Sequence, residues 1–415
     1  MFALVDINNC YVSCQRLFRP ELEGKIIVVL SNNDGCVISR SEEAKAIGIK
    51  MAAPEFLIRD LLKGKDAHIF SSNYPLYADM SARLMNRLAS YTSILEVYSI
   101  DEAFMTFPNL KTADLEDQAA QVWYEVRKHI GLPITIGIAK TKTLAKLANR
   151  YAKSQGNPYQ VLDSDESLEA VIKDFPIDDI WGIGRQYQKL LHANHIFTAG
   201  QLREQSENWV QKNLTIQGLR LWKELWGQPC SVSKDFIDRR KGIACTRSFN
   251  TYFSDLESLT EAVATYAATV AHKLRKDKSA AMNISVFLRT NKHRQDHDQN
   301  YPSITIKLPY PSNNTADITS AAIAALKRIY IERKYLKAGV IATGLIPENE
   351  IQANLFYPIQ EAKKDVSLVM DKINTRYGRG MLRMAAEGYE KRWSMKQHYL
   401  SPCYTTRWND ILKSV

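Results

Sequence analysis

Residues 98–104 read YSIDEAF, which sets two adjacent carboxylates, Asp101 and Glu102, inside an otherwise apolar run. Near the start, FALVDI closes another apolar run on a third carboxylate, Asp6. Acids on a surface turn are ordinary, and that reading suits the pair taken alone. The alternative is a convergence of the hard oxygen ligands that Mg²⁺ prefers, with waters and substrate phosphates completing each octahedron. Two such ions about 3.5–4 Å apart activate an attacking hydroxyl and stabilise a departing pyrophosphate. Phosphoryl transfer of this type needs positioning and charge neutralisation more than a protein base. No histidine arrangement competes: the eight are scattered, and HExxH, GxSxG and P-loop lysine motifs are absent.

These carboxylates need rigid carriers. The flanks LEVYSI and AFMTF favour strands, so the acidic pair is expected at the turn of a hairpin. FALVDI reads as a short buried strand with Asp6 at its C-terminal end, where sheets commonly present ligand groups. IIVVL (26–30) and PITIGIA (133–139) read as further strands, residues 75–91 and 115–130 as helices. SEEAKAIGIKMAAP holds a short helix stopped by Gly48 and Pro54. Strands interleaved with helices around a hairpin predict a split-βαβ, ferredoxin-like sheet. TLAKLANRYAKSQG then predicts an amphipathic helix capped by Thr143 and closed near Gly156. Its Leu144, Leu147, Ala148 and Tyr151 share a buried face; Lys142, Lys146, Arg150 and Lys153 share another, either solvated or in contact with phosphate.

Residues 165–230 read as all-helical. Within them DDIWGIGRQYQKLL carries Gly182 and Gly184 before a helical run that includes Lys189. A Gly-x-Gly turn serves any tight bend, but flanked by helices it is similar to a helix-hairpin-helix, a sequence-independent grip on DNA backbone. A polar, basic linker (231–242) precedes a β-α-β-β-α-β pattern over 243–345, a domain of about 100 residues. Arg289, Lys292, Arg294 and Lys307 lie on or beside its middle strands. The tail, 346–415, holds QANLF (352–356), whose Gln352, Leu355 and Phe356 form either a detachable anchor for a partner's pocket or ordinary packing.

Composition agrees with several domains in 415 residues. Residues 234–345 hold 18 Lys/Arg against 10 Asp/Glu, whereas residues 1–233 hold 26 against 27. A near-neutral front and a basic back suggest chemistry in front and a polyanion behind. No apolar stretch approaches a membrane span, the N-terminus lacks signal-peptide features, and the six cysteines form no CxxC pair. A cytoplasmic protein with free thiols is expected.

The segments DINNCYVSC, CVISRSEEAKAIGIKMAAP, YSIDEAF, GIAKTKTLAK and WGIGRQYQKLL together resemble the Y-family, or translesion, DNA polymerases. INTRYGRGMLRMAAEG and SPCYTTRW resemble the branch containing the catalytic subunit of bacterial DNA polymerase V, the UmuC family. The resemblance covers essentially the whole chain. It implies an α+β multidomain right hand: a ferredoxin-like palm (1–13 and 73–164), small fingers (14–72), a helical thumb (165–230) and a little finger (243–345). Asp6 and Asp101 would ligate two Mg²⁺ ions, Glu102 the catalytic one and the Ile7 carbonyl the nucleotide-side one. Tyr11 would exclude a 2′-hydroxyl, while Ser39, Arg40, Lys45 and Lys153 would hold the dNTP triphosphate. Gly182, Gly184, Lys189, Arg289 and Lys292 would contact primer–template DNA. QANLF is similar to the family's sliding-clamp peptide, with Ala353 where a larger residue is common. Implied partners are the clamp, a processed accessory-subunit dimer of UmuD type and a recombinase filament of RecA type, all in the SOS response to DNA damage. Many members carry Tyr and Arg where this chain has Glu42 and Lys45. A carboxylate beside a triphosphate is repelled, so Glu42 is expected to turn away; Lys45 offers charge without a bidentate fork.

Two rival readings start from the same residues. A two-metal nucleotide cyclase would share the sheet but needs no DNA grip. A non-catalytic DNA-repair scaffold would bind DNA and the clamp and carry vestigial acids.

Overall fold

An apolar hexapeptide covered on both faces opens the chain as β1 (Phe2–Ile7). The computed structural model describes residues 1–107, 112–230, 239–294, 296, 298–352, 361–390 and 393–413. After β1 come α1 (Cys10–Phe18), β2 (Ile26–Leu30), β3 (Val37–Arg40), α2 (Glu42–Ala46), α3 (Glu55–Leu62) and β4 (Ala67–Ser71). Next are α4 (Tyr74–Leu88), β5 (Leu95–Val97), β6 (Glu102–Thr106), α5 (Thr112–His129), β7 (Ile134–Ala139), α6 (Lys142–Gln155) and β8 (Tyr159–Leu162). Four helices, α7 (Asp165–Ile172), α8 (Arg185–Ala193), α9 (Ala199–Arg203) and α10 (Glu207–Leu225), complete the run.

The main sheet has the order β5-β6-β1-β7-β8, with β1 antiparallel to both β6 and β7. Because side chains alternate along a strand, β1 feeds two cores. Ala3, Val5 and Ile7 pack with Leu76 and Leu84 of α4 and Val122 and Val126 of α5. Leu4 packs the other way, with Phe104 of β6 and Leu144 and Ala148 of α6. The same alternation sends Asp6 toward α6. A smaller sheet, β3-β2-β4, has its own core of Val28, Leu30, Val37, Ile49 and Ile58.

Helix α6 seats on β7 without room to spare. A Cβ on Gly137 would meet the Ala145 carbonyl oxygen at 2.2 Å and the Asn149 nitrogen at 2.2 Å. Asn149 Nδ2 donates to the Thr135 carbonyl at 2.7 Å, locking the pair. The N-cap is Thr141, not Thr143: Thr141 Oγ1 accepts from Leu144 N at 3.2 Å. Thr143 is instead held by buried Glu224 of α10, whose carboxylate accepts from the Thr143 N–H at 3.0 Å and from its hydroxyl. Two nearby threonines look alike in sequence; Thr141 starts the helix and Thr143 engages Glu224.

A second unit comprises Phe236–Lys396, and the first comprises Met1–Asp235 with Gln397–Val415. The second holds β9 (Gly242–Phe253), α11 (Leu256–Lys276), β10 (Ser279–Thr290), β11 (Ser303–Ser312), α12 (Thr315–Ile329) and β12 (Tyr335–Pro347), followed by α13 (Glu361–Tyr377). This is the expected β-α-β-β-α-β order. The strands run β11-β10-β12-β9 with every neighbour antiparallel, so each βαβ unit is split by a strand of the other. Both helices pack into one core with inward residues Ile284, Val286 and Leu288 of β10. The stretch 346–415, read above as one tail, divides between the units at residue 396. Among the described residues no helix is long and apolar enough to cross a membrane, and all six cysteines are free.

Gly137→Ala should destabilise the first unit by about 1–3 kcal/mol or more, because the new methyl meets backbone that cannot rotate away. A thermal melt checks this; an unchanged midpoint would mean that α6 does not rest on β7 at Gly137.

Candidate active site

The acidic residues stand where strand parity puts them. In the β1–β6 ladder Asp6 lies directly opposite Glu102, so both carboxylates project from the same sheet face. The Ile7 N–H donates to the Asp101 carbonyl at 2.9 Å, which ties the third acid to the end of β1. Ser99 organises the turn: its Oγ donates to the Asp101 carboxylate and accepts from the Glu102 N–H at 3.1 Å.

Helix α6 lies over this face and lowers lysines onto it. Lys153 pairs with Asp6. Lys146 donates to Glu102 at 2.8 Å, and Lys142, nearly buried, pairs with Glu96 of β5. Arg150 reaches Asp179 at 3.2 Å. Each of the four cations on the basic face of this helix meets a carboxylate, Lys142 and Lys146 in largely covered pairs and Arg150 in an exposed one. The Lys146 ammonium also sits 4.3 Å from the Tyr98 ring centroid and 5.0 Å from that of Trp181. Trp181 Nε1 donates to Tyr98 Oη at 3.3 Å, so the YSIDEAF turn is braced by the residue that opens the Gly-x-Gly segment. Stacked cation–π contacts of this kind hold an ammonium in place without neutralising it.

Two carboxylates facing each other on a covered sheet are costly to ionise together. Burial pushes the Asp6 carboxyl up to about 7, against the opposing pull of Lys153 and with a further push from Glu102. Among the described residues no three His, Cys, Asp or Glu side chains already form a metal-holding group. Lys153, Lys146 and Ser99 each engage one of the expected ligands. The donor set itself, carboxylates with an adjoining backbone carbonyl on rigid strand ends, is the all-oxygen set that suits a hard divalent ion.

Tyr11 stacks on Tyr77 with ring centroids 4.3 Å apart and 13° between planes, and meets Tyr74 edge-on at 6.1 Å. Gln15 Nε2 donates to Tyr77 Oη at 2.9 Å, fixing the lower plate. Burial, helped by Tyr74, pushes the Tyr11 phenol up to about 12, so it stays a neutral plate. An adjacent cleft of about 1340 Å³ is lined by Asn8, Asn9, Glu42, Lys45, Arg150 and Lys153 among others.

Of the expected triphosphate contacts, Lys45 and Lys153 line that cleft. Ser39 is buried, with Oγ accepting from Val12 N at 3.4 Å and donating to the Asn9 carbonyl at 3.3 Å, so it staples β3 to α1. Arg40 donates to the Ile49 carbonyl, and its buried Nε has no protein acceptor. Glu42 does not turn away. It lines the cleft, accepting from Lys45 at 2.6 Å and from Asn9 Nδ2 at 3.0 Å. Burial alone would raise its carboxyl, but those two donors hold it below the usual carboxylate range. Glu42 can face the cleft because Lys45, one helical turn away, supplies it with a counter-charge.

The expected DNA contacts belong to both units. Gly182 takes φ 98°, which favours glycine, while Gly184 caps α8 with open space where a Cβ would stand. Lys189 is exposed on α8. In the second unit the Arg289 guanidinium lies 5.5 Å from the ring centroids of both Phe287 and Tyr301, and Lys292 is exposed. Gln352 is exposed; Leu355 and Phe356 lie outside the described residues.

Between the ordinary carboxylate pKa and about 7, folded Asp6 keeps a proton that the unfolded chain has released. Stability therefore falls as pH rises through that window, and Asp6→Asn lacks the effect. In metal-free buffer the thermal midpoint of wild type should drop relative to that of Asp6→Asn as pH rises from about 4 to about 7. A gap that does not change with pH would remove the burial penalty at Asp6.

Comparison with known proteins agrees with this geometry. The impB/mucB/samB family pattern matches residues 5–150, its C-terminal domain 240–355 and the family's HHH motif 165–196. A domain of unknown function matches residues 364–413. The chain is 38% identical to Protein UmuC of Salmonella typhimurium over 100% of both chains, and 38% identical to Protein SamB of that organism over 99% of each. It is 26% identical to DNA polymerase IV of Bacillus velezensis over 92% of each. Among solved structures, a Y-family DNA polymerase chimera is similar in fold, with a TM-score of 0.63 at 21% identity, covering 84% of this chain and 100% of that one. Matched from end to end at this identity, the chain belongs to the impB/mucB/samB family, the UmuC branch of the Y-family DNA polymerases.

Proposed function

We propose that Asp6, Asp101, Glu102 and the Ile7 carbonyl hold two Mg²⁺ ions at the hairpin of this translesion DNA polymerase. The chain is a DNA-directed DNA polymerase that depends on a divalent metal and binds template DNA. The observation that carries the ligand assignment is the cross-strand pair Asp6–Glu102, with Asp101 tied to the end of the same strand. Bound there, the metal would supply charge neutralisation at the reacting phosphate and lower the pKa of the primer 3′-hydroxyl.

The protein's own groups do the rest. The stacked Tyr11 ring sits under the sugar and excludes a 2′-hydroxyl by shape. Lys153, Lys45 and Arg40 hold the triphosphate; Ser39 acts through the backbone of α1. Lys146 stays with Glu102 inside its aromatic brace and keeps that carboxylate aimed along the sheet face. Gly184 offers open N–H groups at the start of α8 to the primer-strand phosphates, with Gly182 making the turn and Lys189 beside it. Arg289 and Lys292 grip duplex backbone without reading bases. Gln352, Leu355 and Phe356 anchor the sliding clamp, and the processed UmuD-type dimer and RecA-type filament complete the assembly. The protein acts in the cytoplasm, during the SOS response. A scaffold with vestigial acids is disfavoured, because each acid is matched by a cation or hydroxyl that orients it.

The test is primer extension with Mg²⁺ and four dNTPs on undamaged and abasic templates, with the proposed partners supplied. Wild type should extend, and Asp101→Asn should lose activity by about 10²-fold or more. Equal extension by both would dismiss Asp101 as a ligand. In the same assay Tyr11→Ala should raise ribonucleotide incorporation; an unchanged sugar preference would dismiss the gate.

A further inference from the structure

The domain of unknown function matched at residues 364–413 has a distal part that belongs to the first unit. There, residues 397–404 run along the end of β4 and the start of α4. The Ser71 N–H donates to the Tyr399 carbonyl at 3.0 Å, and the Tyr399 N–H returns to Ser71 Oγ at 3.0 Å. Gln397 Nε2 donates to the Ser72 carbonyl at 2.8 Å, and the His398 N–H to Asp34 at 2.8 Å. Farther on, the Tyr404 ring stacks on Phe18 of α1, centroids 4.8 Å apart and 10° between planes.

The node of these contacts is Asn73, which is fully buried. Its Oδ1 caps α4 by accepting from Leu76 N at 3.3 Å. Its Nδ2 points the other way, toward the Ser401 carbonyl and Oγ, both at 3.0 Å, and the Pro402 carbonyl at 3.1 Å. One side chain thus joins the C-terminal segment to the first turn of α4. The next residue is Tyr74, and Tyr77 lies one turn on; these are the two rings that meet Tyr11. Tyr404 grips the opposite end of α1, the helix that carries Tyr11 itself. Both helices of the aromatic stack are therefore held by the same strap.

We propose that residues 397–404 are a positioning strap for sugar selection, and that Asn73 is a positioning residue acting on Tyr11 through Tyr74 and Tyr77. This rests on the reading of Tyr11 as the sugar gate. A buried amide whose oxygen caps the helix and also accepts from Cys403 Sγ at 3.5 Å, while its nitrogen serves only the distant segment, sets the height and tilt of α4. Without the Asn73 amide donors the strap keeps its bonds to Ser71, Ser72 and Asp34 but loses its tie to the first turn of α4, and the aromatic stack loosens. The ring beneath the sugar then admits a 2′-hydroxyl.

The experiment uses the full chain in the primer-extension assay, with one matched dNTP or the corresponding rNTP. Asn73→Ser keeps a capping oxygen but removes the two-hydrogen donor; Tyr404→Leu keeps an apolar filler but removes the stack. Each should lower the ratio of kcat/KM for dNTP over rNTP about tenfold, within the roughly 10²-fold that a misplacement of about 1 Å costs. Loss of rate on both nucleotides with an unchanged ratio would make the strap merely structural and overturn the proposal. An unchanged ratio in both variants, while Tyr11→Ala loses discrimination, would overturn the strap and leave the gate standing. An unchanged ratio in Tyr11→Ala itself would remove the gate reading and the strap's role with it.

Discussion

The first unit is organised by the docking of α6 against the strands that carry the acids. Its apolar face is pressed onto Gly137, where backbone meets backbone, and its lysines are consequently lowered onto Asp6, Glu102 and Glu96. Seat and charge are linked, because the helix that packs on Gly137 also carries the ammonium groups that meet the carboxylates. Glu224 fixes the same helix lengthwise by holding Thr143 at its first turn. The facing carboxylates cannot be left without counter-charge in a half-buried site, and α6 supplies it from the protein itself.

Much of this was legible because local pattern and tertiary need coincide. FALVDI can be read as a strand ending in an acid, and alternation then predicts which way Asp6 points, because Ala3, Val5 and Ile7 must share the opposite face. The β-α-β-β-α-β domain was legible for the same reason: each strand alternates and each helix has one apolar stripe. Partnership was not legible. Four cations at helical spacing announce a shared face, yet nothing in their spacing says that carboxylates from β1, β5, β6 and the segment near Asp179 will meet them. Glu42 illustrates the limit, since repulsion from a triphosphate is offset by the lysine three residues away.

Asn73 was invisible for a different reason. In sequence it is an unremarked cap before an aromatic helix; its second set of partners lies at the far end of the chain. Long-range hydrogen bonds between polar side chains and backbone leave no periodic trace. The tail likewise reads as one peripheral stretch, although its two parts join different units.

That arrangement makes the second unit an insertion in the first, and insertion imposes an order in time. Asn73 and Ser401 are separated by 328 positions. At a synthesis rate of about 5–20 residues per second, roughly tens of seconds pass between the emergence of the cap and of the segment it holds. During that interval α1, α4 and the small sheet are present without the Tyr399 contact on Ser71, and the Asn73 amide has only its helix to serve. The nascent chain therefore acquires the strands that carry Asp6 and Glu102 early and the bracing of its aromatic stack last, so a chain stalled near its end would carry those acids without the C-terminal contacts on α1 and α4.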